Sequence, residues 1–214
     1  EGNVVINFQF DWAWPFSQGL GRVGLENKYG FIDNVGTIAI ELKFDWAWDF
    51  SDDLAAVDID GKYGYIDKSG TMVMQPQFDS LTYFSDNLAP VEMGGKWGYI
   101  SKGGSMAIEP KFEQAMPFSE GLAAVQRKSR WGYIGYTGFF SIKTRFEMAR
   151  GFSGGLAAVK SNGKWGYINK EGSYVIRPYF DEAWDFSDEL ARVEIDRKWG
   201  YINQKGRYVW KPTR

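Results

Sequence analysis

Cysteine and histidine are both missing from the 214 residues. Without cysteine there are no disulfides and no thiolate metal sites. Without histidine the commonest general base and metal ligand is gone. No apolar run approaches the ~18–20 residues of a membrane-spanning helix, so no membrane insertion is expected. A formal net charge of −2 lacks the basic excess of a general nucleic-acid binder. No phosphate-cradling loop, nucleophile elbow or metal-ligand spacing is found. Together these absences point away from catalysis, cofactors, metals and nucleic acid. The chain begins with Glu1 rather than Met, which leaves room for a removed leading segment with a targeting signal.

What is present is aromatic, at 18% of residues, and it repeats. An aromatic–Gly–aromatic–Ile string occurs as YGFI at 29–32, YGYI at 63–66, and WGYI at 97–100, 131–134, 165–168 and 199–202, a step of 34 residues each time. Phe10, Phe44, Phe78, Phe112, Phe146 and Phe180 open the units. A second Phe, at 16, 50, 84, 118, 152 and 186, follows six residues later and is itself followed by Ser. Leu, Val and a closing Gly keep the same step. Recurrence within one chain marks the positions that the architecture needs.

The unit FDxAxxFSxxLAxVxxxGKWGYIxxxGxxxIxPxF resembles the WG-containing repeat family found in many bacterial proteins. Its signature is KWGYI, as at 96–100 and 164–168, with Tyr29 and Tyr63 in the Trp slot of the first two units. The resemblance implies a β-rich tandem repeat, often in surface or secreted proteins, and it implies no shared activity.

The residues themselves specify strands. LAAVDI (54–59) reads as a short strand, DG at 60–61 as a two-residue turn, and KYGYI as its antiparallel return. DKSG (67–70) makes the next turn, and TMVMQP completes a three-stranded meander that ends at Pro76, as others end at Pro110, Pro178 and Pro212. The recurrent Gly should admit another backbone or ring closely. The aromatic beside it should be core, burying ~150–250 Å², roughly 4–6 kcal/mol as an upper bound.

The expected fold is all-β: a single repeat domain over 1–214, six 34-residue meander units, with residues 1–9 as a capping strand. Residues 2–10 align with 206–214, so the last strand of the unit occurs once more than the WG hairpin. That surplus favours an open, superhelical, solenoid-like array over a closed six-bladed β-propeller.

The stretch FDWAWDF (44–50) raises the functional question. Phe44, Ala47 and Phe50 are three apart, which suggests a 3₁₀-like turn with an inward face, capped by the acid after the first Phe (Asp11, Asp45, Asp79, Glu113, Glu147, Asp181). The two remaining slots vary. The first holds Trp12, Trp46, Ser80, Gln114, Met148 and Glu182; the second holds Trp14, Trp48, Thr82, Met116, Arg150 and Trp184. Slots that accept Ser, Gln and Arg are not obligatory core, so these tryptophans are expected at least partly exposed. They either pack on adjacent loops or on a further domain, or they meet a ligand.

The main functional reading is a non-catalytic interaction module whose stripe of Trp12, Trp14, Trp46 and Trp48, with Asp49, Arg150 and Trp184, meets a protein partner. One alternative is carbohydrate binding, with tryptophans stacking on sugars while Asp11, Asp45 and Asp49 accept hydroxyl bonds. Another is homo-assembly through exposed edge strands. Asp45, Asp49, Asp52 and Asp53 could suggest a glycosidase pair, but SDDL at 51–54 recurs as SDNL and SDEL, which marks a turn.

Overall fold

The computed structural model describes residue 6 and residues 9–210. Among them the chain forms six four-stranded antiparallel sheets, each built from strands consecutive in sequence. The second sheet consists of Trp46–Ala47, Leu54–Ile59, Lys62–Asp67 and Met72–Phe78, and the pattern returns every 34 residues.

Three sequence expectations are corrected. The unit has four strands, because the aromatic stretch is itself extended: Trp46 pairs with Asp58 and Ala47 with Val57. No 3₁₀ turn is found among the described residues; in the first and fifth units the same stretch is strand throughout, over Trp12–Ser17 and Met148–Ser153. Nor does proline end the last strand, which runs on through Pro76 to Phe78. Pro76 sits in a bulge: Tyr63 pairs with Phe78 and Tyr65 with Met74, so the last strand advances four residues while its neighbour advances two. A bulge is where a strand tolerates a residue without an N–H. Pro212 lies outside the described residues.

The bulge explains the glycine. A Cβ on Gly64 would lie 2.5 Å from the Met74 carbonyl oxygen and 3.0 Å from the Pro76 nitrogen. The close approach expected at this position is therefore made by the backbone of the adjacent strand.

Two left-handed turns complete each unit. At Asp60–Gly61 and at Asp52–Asp53 both central residues have positive φ, as a type I′ turn requires. The acid after the first Phe is structural, but it secures the hairpin turn rather than capping a turn of its own. Asp45 Oδ2 accepts the Asp60 N–H at 2.8 Å, and Glu113 accepts those of Lys128 and Ser129 at 2.9 and 2.8 Å. Lysines of the preceding unit reach the same acids, with Lys28 on Asp45 and Lys62 on Asp79.

The core lies between sheets. One cluster joins Phe31, Ile40 and Phe44 of the first sheet to Ala47, Phe50, Ala55, Val57 and Ile66 of the second. Polar bonds recur across the same seams. Tyr65, Tyr99, Tyr133 and Tyr167 donate their hydroxyls to the carbonyls of Thr82, Met116, Arg150 and Trp184 in the following unit, each at 2.8 Å. Ser17, Ser119 and Ser153 donate to the carbonyls of Phe50, Phe152 and Phe186. The serine after each second Phe thus has a use in three of the seams.

The WG slot is core in only two units: Trp97 and Trp165 are buried, whereas Tyr29, Tyr63 and Trp131 are half-buried. Trp199, in the last described sheet, is 37% exposed. The capping strand expected at 1–9 falls largely outside the described residues. Ile6 is described, and it meets Gly36 as Ile40 meets Gly70.

Candidate interaction surface

In the first two units the variable slots bring their side chains together at the seam between the sheets. The first-slot Trp46 is held by pairing of its short strand with the next, and the Trp48 N–H donates to the Ala56 carbonyl at 2.9 Å. Trp12, Trp14, Trp46 and Trp48 then form a continuous series, with ring centroids 6.5, 6.0 and 6.2 Å apart. Tyr29 adds to it at 4.6 Å from Trp46, and Tyr63 at 5.5 Å from Trp48. Trp12 is 61% exposed and Trp48 40%, while Trp14 and Trp46 are half-buried.

The organising residue is one that the sequence reading passed over. Arg22 is buried in the seam between the first two sheets. Its guanidinium carbon lies 3.9 Å from the Trp14 ring centroid and 5.4 Å from that of Trp46. Nη1 donates to the Ala47 carbonyl, and Nε lies 3.0 Å from Asp49 Oδ1 without the alignment of a hydrogen bond. Burial pulls the Arg22 pKa below its ordinary value, and the Asp49 charge pulls it back.

A signal for Arg22 existed. It occupies a small-residue slot that holds Ala56, Pro90, Ala124 and Ala158 in the next four units. In the same unit Phe31 replaces the tyrosine whose hydroxyl ties other seams together. Arg22 supplies a donor to the neighbouring carbonyl instead.

The seven predicted site residues do not all come together. Trp12, Trp14, Trp46, Trp48 and Asp49 share the surface above. Arg150 and Trp184 belong to a second cluster, where the Arg150 guanidinium lies 5.2 Å from the Trp165 ring and 5.4 Å from that of Trp184. Trp184 also packs 4.9 Å from Trp199, with Arg192 over both rings. Asp11 and Asp45, considered as sugar acceptors, are engaged by the turn amides of Glu26 and Asp60. Asp52 and Asp53 form the expected turn and pair with Lys102 and Lys68.

An all-β array of four-stranded antiparallel repeats with an aromatic face is the class that this fold defines. The chain belongs to the WG containing repeat family, whose model matches consecutively at residues 1–29, 29–63, 63–97, 97–130, 131–165 and 165–199. No curated protein sequence matches the chain significantly. Among solved structures it is similar to a crystal structure of a eukaryotic initiation factor, with TM-score 0.63 and 14% identity over 94% of this chain and 64% of that one. Kluyveromyces lactis Hsv2p gives TM-score 0.54 and 13% identity over 94% and 75%. These neighbours are β-propeller-like, and at such identities the likeness is one of fold alone. Membership of the repeat family suggests an interaction module.

Proposed function

We propose that the chain is a single repeat domain acting as a non-catalytic interaction module, whose Trp12–Trp14–Trp46–Trp48 surface docks a protein partner. The observation that carries this is Arg22. A buried arginine fixed by Asp49, the Ala47 carbonyl and two indole faces keeps Trp14 and Trp46 in place beneath the exposed Trp12 and Trp48. Preorganised aromatic anchors of this kind dominate docking energies. The commitment of Asp11 Oδ2 and Asp45 Oδ2 to turn amides favours a protein over a sugar, because it leaves fewer acceptors for hydroxyls.

The architecture beneath the surface is read as open rather than as a closed six-bladed ring. Phe16 of the first sheet is 46% exposed while its five counterparts are buried, and Trp199 of the last sheet is exposed as well. Both would be covered if those sheets packed together.

The function is tested by affinity capture with the wild-type chain and the Trp12→Ala/Trp48→Ala variant, alongside tryptophan fluorescence titrated with soluble glycans. A protein retained by wild type and lost by the still-folded variant is the expected result. A saturable glycan response abolished by the same substitutions would replace this reading with carbohydrate binding.

A further inference from the structure

Beyond the tryptophan series, one cavity of about 420 Å³ is bordered by four consecutive units. Tyr83 comes from the third, Met116 and Phe118 from the fourth, Arg150 from the fifth and Asp185 from the sixth. Its volume falls within the ~300–1,000 Å³ typical of small-molecule sites. The walls combine apolar side chains with two opposite charges.

Those charges are unspent. Arg150 and Asp185 form no ion pair with each other or with another side chain among the described residues. The Arg150 Nε is buried without a hydrogen-bond partner. Its guanidinium is nonetheless held in place over the rings of Trp165 and Trp184. The serines beside it are occupied, because Ser119 and Ser153 donate to the carbonyls of Phe152 and Phe186.

Arg22 serves as an internal control. It too lies between two indoles, but it is tied to Asp49 and to the Ala47 carbonyl, so its role in the fold is complete. Both arginines bury an Nε without an aligned acceptor, and Arg150 differs in having neither an ion pair nor a carbonyl partner among the described residues. An arginine held beside a cavity with no ion pair keeps its outer guanidinium nitrogens available to an anionic group there. Burial also pushes the Asp185 carboxyl above its usual range, against the opposing pull of the nearby Arg150 charge.

We propose that this cavity binds a small zwitterion of the α-amino-acid class, its carboxylate on Arg150 and its ammonium on Asp185. A guanidinium fork donates to both oxygens of a carboxylate, and the exposed carboxylate of Asp185 accepts from an ammonium. Tyr83 and Met116 add apolar surface between the two charges, which leaves room for an apolar side chain. The site adjoins the tryptophan surface, since Tyr83 also lines the cavity beside Trp48 and Asp49, but it shares none of those four tryptophans.

The test is calorimetric titration of the whole chain with glycine, L-leucine and L-phenylalanine, and with two single-charge analogues, phenethylamine and 3-phenylpropionate. At least one amino acid is expected to saturate the site, with an analogue lacking either charge weaker by about tenfold or more, the scale of one charge-assisted hydrogen bond. Arg150→Met, which installs the residue found in the same slot at Met116, should erase the advantage of the carboxylate. Asp185→Asn should erase that of the ammonium. The analogue series on the unaltered chain judges the proposal even if either variant fails to fold. Absence of binding by every amino acid up to about 10 mM, an affinity near the weak limit of specific recognition, would overturn it. So would binding indifferent to the loss of either charge.

Discussion

At the scale of single residues, the carboxylates after each opening Phe do the work of turn formation. Left-handed turns such as Lys128–Ser129 and Asp196–Arg197 contain no glycine, and each non-glycine residue held there costs about 1–2 kcal/mol. A carboxylate accepting the turn amides offsets that cost: Glu113 does so for the first and Asp181, through the Asp196 N–H, for the second. Asp45, Asp79 and Asp181 lie below the ordinary carboxylate range, first because Lys28, Lys62 and Lys164 bond to them and then because the turn amides do. A folded pKa below the unfolded one means that the unfolded chain binds protons more readily. The stabilisation is therefore complete above the unfolded value of about 4 and is lost as pH falls through the folded values. Urea unfolding from pH 6 downward should show stability declining below about pH 4 in the wild type, with a shallower decline in Asp45→Asn/Asp79→Asn/Asp181→Asn. Equal slopes in the two chains would assign acid sensitivity to other carboxylates.

Within an element, the decisive feature is the bulge opposite the WG glycine. Gly64 and Gly61 are three residues apart and make opposite demands. Gly64 has no space for a Cβ, because backbone atoms of the last strand block it on that side; Gly61 has open space around it and a φ of +73°. Gly64→Ala should cost about 2–3 kcal/mol through overpacking against immovable backbone, whereas Gly61→Ala should cost about 1 kcal/mol through left-handed strain alone. Chemical denaturation of both variants checks the order, and a Gly61→Ala penalty equal to or above that of Gly64→Ala would contradict the bulge as the origin of the requirement. Bulge and proline go together here, and Leu42 and Thr144 stand in two units without breaking the pattern because the strand needs only a residue that can do without its ladder bond.

Across the whole molecule, stability belongs to seams and not to sheets. A repeat array of this kind sums nearest-neighbour interfaces, so identical residues differ in worth according to what covers them. Phe118 is buried against Tyr99 and Tyr136, with centroids 4.9 Å away in both cases. Phe16 occupies the same slot with one side uncovered. Phe118→Ala should cost about 3–5 kcal/mol and Phe16→Ala under about 1 kcal/mol, measured by equilibrium unfolding. Equal penalties would mean that the first sheet is covered in solution, as it would be in a closed ring.

From the sequence alone came the repeat, its 34-residue step, the hairpin turns and the partial exposure of the variable tryptophans, because each is written as recurrence at fixed spacing. The same recurrence points to core throughout the WG slot, which is buried only at Trp97 and Trp165. Recurrence separates what every unit needs from what one unit adds. It does not say which partner a needed residue meets. Asp45 had to cap something, and only the folded hairpin brought its carboxylate to an amide 15 residues on. The aromatic stretch had a period of three that suggested a tight turn, and pairing with the adjacent strand overrode it, since a free strand edge gains hydrogen bonds by accepting one more neighbour. Arg22 stood out in its slot, but what it meets, like the Arg150–Asp185 cavity, was decided by tertiary structure. Both depend on side chains from different units meeting across a seam, and a distance across a seam is set by how sheets stack, which no spacing along the chain encodes.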